Sequence, residues 1–158
     1  MNRQTVLDLL QRSADDLQRY VSEIPADRLH WREPGEWSAH ETLAHVCEVE
    51  REAFLPRAKR ITTEHEPRLP NFESDAWHTA HYDPGRPLAE LLADFAEARR
   101  QEIELLAAAP DWSKWGFHEG MQKRYSLNYL AQYALAHTWE HLHQIAGTQK
   151  AYELERQG

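Results

Sequence analysis

The segment HTWEHLHQ, residues 137–144, sets three histidines and a glutamate into what otherwise reads as an apolar helix. At about 100° per residue, Leu127, Leu130, Ala134, His137, His141 and Ile145 share one arc of roughly a quarter turn. His137 and His141 therefore face a core, and His143 points to the opposite side. Burying two imidazoles is costly unless both find partners, because each ring carries a donor and an acceptor. Histidines at i and i+4 can aim one nitrogen each at a single point above the helix, so one divalent cation can satisfy both. The alternative is a hydrogen-bonded pair of core histidines. With ten histidines in the chain, the spacing is weak by itself, and core-facing placement is what strengthens it.

A metal site that does chemistry needs a third protein ligand and an open position. The candidate is His45 in GEWSAHETLAHVCEVE. It borders the arc of Val46, Val49 and Ala53 but lies opposite Leu43, Cys47 and Phe54, so an exposed or hydrogen-bonded histidine is the competing reading. Cys47 sits across the helix from His45 and reads as a small core residue. Glu48 and Glu52, one and two turns beyond His45, can orient a ligand imidazole or take a proton; the alternative is a solvated helix face. His78 and His81 lie in a connection bounded by Gly and Pro and read as exposed. The letters His-x-x-Glu-His through His137, Glu140 and His141 match the inverted zinc proteases. That pattern expects an acidic ligand well downstream, whereas 17 residues follow His141, and Glu140 reads as a surface or outer residue.

Four segments with helical periodicity must position these side chains. The first, about 3 to 24, places Val6, Leu7, Leu10, Ala14, Leu17, Val21 and Ile24 on one face and stops at Pro25. The second opens at Ser38, with Glu41 completing a capping box, and runs to about 61 with a kink expected at Pro56. The third starts at Pro87 as first helical residue and ends by Pro110; the fourth has Ser126 as N-cap and runs to about 152. Nothing between them alternates as a strand does. The expectation is an all-α fold: one four-helix-bundle domain over 1–158, with long connections at about 62–86 and 110–125 that leave room for short extra helices. Trp31 and Trp37 read as packing the turn before the second helix. Trp77, Trp112, Trp115 and Trp139 read as interhelical packing, with a pocket lining as the alternative.

Composition narrows the function classes. A net charge of −8 argues against phosphate backbones and anionic membranes as partners. The amphipathic N-terminus and the lack of any long apolar run predict a cytoplasmic protein with no membrane partner. One cysteine, Cys47, fits a reducing compartment.

The string LHWREPGEWSAHETLAHVCEVE, with Trp, Pro-Gly and Trp-Ser leading into a helix bearing one histidine, and a final helix bearing His-x-x-x-His with a glutamine three residues on, resemble the DinB/YfiT-like superfamily. The resemblance spans most of the chain. It implies a metal triad of His45, His137 and His141, with Gln144 at the trailing glutamine. Many members read His-Arg-Gly-Gln where this chain has HLHQ, so Leu142 and His143 replace the arginine and glycine. The superfamily includes thiol-dependent S-transferases. The implied function is conjugation of a low-molecular-weight thiol cosubstrate to a small electrophile at one divalent ion, Zn, Ni or Fe; Glu48, from its place one turn beyond His45 and not from the resemblance, is the candidate catalytic acid–base group. A metal-assisted hydrolase and a non-catalytic stress-response metal-binding protein are the alternatives, and a homodimer is a further expectation.

Overall fold

Asn2 caps the first helix by accepting a hydrogen bond from the Gln4 backbone N–H, and α1 (Arg3–Ser22) buries the predicted stripe of Val6, Leu10, Ala14, Leu17 and Val21. The computed structural model describes residues 2–157. After Pro25 comes a single turn, α2 (Ala26–Leu29). Gly35, at φ +85°, follows Pro34 in a turn closed by Glu36 N–H donating to the Glu33 carbonyl at 3.1 Å. That conformation suits glycine and sets Trp37 and Ser38 at the head of the next helix. There the capping box forms as predicted: Ser38 Oγ accepts from the Glu41 N–H at 3.1 Å, and the Glu41 carboxylate accepts in return at 3.5 Å.

The second long helix comprises α3 (Ala39–Val49), a π-helical turn (Glu50–Phe54) and α4 (Leu55–Thr63). The irregularity expected at Pro56 lies upstream of it. Proline lacks an N–H and crowds the carbonyl four residues back, and the wider π turn opens the hydrogen-bond ladder where that crowding falls. The first long connection carries β1 (Arg68–Leu69) and one extra helix, α5 (Ser74–His81). Next comes α6 (Leu88–Ala108), for which Pro87 is the cap, with extended ψ of 135°, rather than the first helical residue. The last helix, α7 (Leu127–Glu155), starts where expected, with Ser126 accepting from the Tyr129 N–H.

Among the long helices, α1 packs on α6 and α7, and the α3–α4 helix packs on the same two. Around the bundle the order is therefore α1, α6, α3–α4, α7, so two of the three connections cross a diagonal. Of the two long connections, the one before α7 spans a diagonal, whereas the one before α6 joins neighbouring helices and owes its length to β1 and α5.

The expectation of no strand needs correction. A three-stranded sheet, ordered β1-β2-β3, pairs β1 in parallel with β2 (Trp115–His118) and β2 antiparallel with β3 (Lys123–Ser126). Strands of two to four residues are too short to display a period of two, and the buried positions of β2 are Gly116 and His118 rather than hydrophobes. A Cβ on Gly116 would lie 2.8 Å from the Pro67 carbonyl oxygen, so the clip joining the two long connections needs glycine there.

The core falls into two apolar clusters, one including Leu10, Phe54 and Leu130 and the other Leu17, Leu43, Phe95 and Ile145. It also holds a fully buried charged group. Arg99 donates from Nε and Nη2 to the two oxygens of Glu50 at 2.7 and 2.9 Å, and from Nη2 to Thr138 Oγ1 at 2.9 Å. Glu102 Oε2 lies 3.2 Å from Arg99 Nε. Burial and then the neighbouring Glu50 charge raise the Glu102 pKa well above the usual carboxylate range. Burial opposes ionisation of Glu50 too, but Arg99 outweighs it and holds Glu50 below its ordinary value. One guanidinium thus balances one carboxylate, while protonated Glu102 contributes no charge. Among the described residues, no helix is long and apolar enough to cross a membrane.

Candidate metal centre

His137 and His141 lie on the inner face of α7, with Nε2 atoms 3.1 Å apart. From α3, the His45 ring approaches them at centroid distances of 5.4 Å and 4.8 Å respectively. One donor nitrogen from each of the three falls within 4.8 Å of the other two. The ambiguity of His45 on the helical wheel is resolved by packing: α3 touches α5, α6 and α7, so it is buried on several sides, and His45 is 6% exposed.

Burial sets the protonation state. Desolvation, then the neighbouring histidines, lowers the pKa of His45 to about 4 and that of His137 to about 2. Desolvation likewise lowers His141. All three are neutral at pH 7, the form that ligates metals. Gln144 Oε1 lies 2.8 Å from His141 Nδ1. By accepting the Nδ1 proton it leaves the Nε2 lone pair directed at His137. Two Nε2 atoms 3.1 Å apart, with a third imidazole offering a donor nitrogen within 4.8 Å of both, fit a divalent ion and its nitrogen donor set.

Glu48 is half-buried on the same helix as His45, and its Oε2 is 2.9 Å from Nδ1 of His78. The placement of His78 corrects the expectation that it is exposed: α5 folds it against the site, 4% exposed, with its ring 6.0 Å from that of His45. Short α5 gives no periodicity from which to read this. Trp37 does more than pack the turn, since its ring lies 5.0 Å from His45 and 4.7 Å from His78 and walls the site. His81 is exposed as expected and stacks on Trp77. Glu52, Glu140 and His143 are exposed and stand apart from the cluster. Cys47 is core: burial pushes its thiol up to about 11, which removes it as a nucleophile at neutral pH. Leu142, at the position where the family arginine stands, turns toward α1 and lines a concavity of about 660 Å³ with Tyr20, Arg28 and Gln149. That cleft touches none of the three histidines.

Two expectations follow. Replacing Gln144 by alanine frees the His141 ring and should weaken divalent-metal affinity by about 10- to 100-fold, read by competition with a chromophoric chelator; unchanged affinity would remove Gln144 from the site. The second concerns pH. Unfolded histidines titrate near 6.5, and the folded triad binds fewer protons below that value. Stability of the metal-free protein is then full above about pH 6.5 and is lost as pH falls toward 4. Glu102 works in the opposite direction, while His40 and His118, also lowered by burial, add to the effect of the triad. The metal-free melting temperature should therefore drop between pH 6.5 and 5, and a flat or rising profile would contradict neutral burial of the triad.

Comparison with known proteins identifies the family and the fold. Residues 9–145 match the sequence profile of the DinB superfamily. The solved structure of YfiT from Bacillus subtilis, described as a probable metal-dependent hydrolase with an unusual four-helix bundle topology, superposes with a TM-score of 0.79. The two are 19% identical, and the match covers 96% of this chain and 87% of that one. No curated protein sequence matches the chain.

Proposed function

The chain belongs to the DinB superfamily, and from that premise we propose that it is a divalent-metal-dependent enzyme that transfers a low-molecular-weight thiol to a small electrophile. The observation that carries the reading is the convergence of three neutral imidazoles, buried His45 and His137 and half-buried His141, beside the Glu48–His78 hydrogen bond. A divalent ion held there, Zn, Ni or Fe by its nitrogen ligands, supplies Lewis acidity that makes a thiol or water more acidic and polarises a substrate oxygen.

The remaining work belongs to the chain. Cys47 is too buried to attack, so the nucleophile comes from a cosubstrate. Glu48 accepts the thiol proton on a carboxylate oxygen, and His78, hydrogen-bonded through Nδ1, holds that carboxylate in place. The thiol sulfur forms the new S–C bond as the bond from carbon to the leaving group breaks, and the proton on Glu48 passes to the leaving group. Trp37 shields this side from bulk water.

Metal-assisted hydrolysis is the second reading, favoured by the likeness to YfiT and its description as a probable hydrolase. Here water replaces the thiol and Glu48 takes its proton. The two separate in one experiment. Metal-loaded protein is assayed for multiple turnover of monochlorobimane with a panel of small thiols, and of p-nitrophenyl acetate without thiol. Thiol-dependent turnover supports transfer, and thiol-independent ester turnover supports hydrolysis. Glu48→Gln should lower kcat by about 100-fold or more for whichever reaction runs; full activity in that variant would remove Glu48 from proton transfer.

A further inference from the structure

His45 belongs to two clusters. It completes the triad with His137 and His141, and it also stands with Glu48 and His78, one donor atom of each lying within 4.8 Å of the others. Both histidines of the second set are more than nine-tenths buried, and each has a ring nitrogen without a partner, Nδ1 of His45 and Nε2 of His78. Leaving two buried imidazole nitrogens unsatisfied is costly, and both belong to the same small cluster. With its Nδ1 proton directed at Glu48, His78 keeps the Nε2 lone pair free for a ligand. Glu41 Oε1 lies 3.9 Å from that Nε2, which adds a second negative charge beside it.

We propose that His45, Glu48 and His78 form a second divalent-cation position next to the triad. The protein then holds two ions bridged by His45, which gives one ring nitrogen to each as an imidazolate and loses its remaining N–H proton to solvent when the second ion binds. The proposal extends the metal centre described above and rests on the triad reading only for the first ion. Two nitrogens and a carboxylate suit Zn²⁺, Mn²⁺ or Fe²⁺, and the oxygen donor gives this position a harder character than the all-imidazole triad; in the two-ion form Glu48 is a ligand, and its role as proton acceptor belongs to the form in which only the triad is filled. Two facts make it the weaker of the two. Its ligands come partly from α5, a short helix in a connection, whereas His137 and His141 share one long helix. His45 must also serve both ions. Glu48 offsets part of the added charge, whereas Glu41 is already paired with Arg32; the triad alone has no carboxylate to do so.

The test uses the full chain, stripped of metal and titrated with Mn²⁺ or Zn²⁺, with bound metal counted after equilibrium dialysis. Wild-type protein should take up two equivalents, the second at least about tenfold weaker. His78→Ala and His78→Gln should each keep one tight equivalent, and His143→Ala should keep two. Circular dichroism reports whether the variants are folded. Electron paramagnetic resonance of the wild type with two Mn²⁺ added needs no variant and should show coupling between the two ions. A single equivalent in the wild type, uncoupled Mn²⁺ spectra, or full retention of the second equivalent in both His78 variants would overturn the second position. Failure of the triad reads differently: His137→Ala would leave the tight equivalent in place.

Discussion

Replacing His137 or His141 with alanine is expected to reduce divalent-metal affinity by more than about 100-fold, exceeding the loss typical of groups that only orient a ligand. Both imidazoles sit on one long helix with their Nε2 atoms 3.1 Å apart, so neither neighbour can move to replace a missing ring without breaking that helix. The apo bundle should stay folded in both variants, because removal of one imidazole leaves both apolar clusters intact. Metal content by mass spectrometry and helical content by circular dichroism check the two halves of the prediction. Unchanged metal content in both variants would mean that the cluster is a set of buried, hydrogen-bonded histidines and no more.

The second large effect concerns stability. Arg99→Met should cost about 3–5 kcal/mol, because it strands the ionised Glu50 carboxylate, 1% exposed, without its cationic partner. For a chain of this size that is on the order of a 10 °C fall in melting temperature. Glu102→Gln should cost little or stabilise at pH 7, because the folded protein already keeps Glu102 protonated and an amide can still donate to Glu50. If Glu102→Gln were as damaging as Arg99→Met, Glu102 would have to be an ionised partner of the arginine. The network reaches the metal centre through Thr138, the residue after His137, so Arg99→Met should also loosen α7 where it carries the triad.

The four long helices were legible because each combines a periodic apolar stripe with a chemical punctuation mark: Pro25, the Ser38–Glu41 box, Pro87 and Ser126. The α7 histidines were legible for the same reason, since they continue the stripe of Leu127, Leu130 and Ala134. His45 was only half legible. Its wheel assigns one face to a helix that in fact is covered on several sides, and the family resemblance rather than periodicity singled it out. His78, Trp37 and the Glu50–Arg99–Glu102 group were illegible for a different reason. Their roles depend on contacts between segments far apart in sequence, such as the 30 residues separating His78 from Glu48 and the 49 separating Arg99 from Glu50. A Glu or Arg inside an amphipathic pattern reads as surface by its chemistry, even though Glu50, seven residues after Leu43 and three after Cys47, continues their buried face. The small sheet escaped notice because two to four residues cannot establish an alternation.

The most direct measurement is anomalous diffraction from crystals of the metal-loaded protein, collected on both sides of the metal's absorption edge. The account predicts that the strongest anomalous peak lies between α3 and α7, within about 2.0–2.2 Å of one nitrogen each from His45, His137 and His141. A strongest peak held by other residues, or His45 turned away from an ion that His137 and His141 bind with a different third ligand, would contradict it.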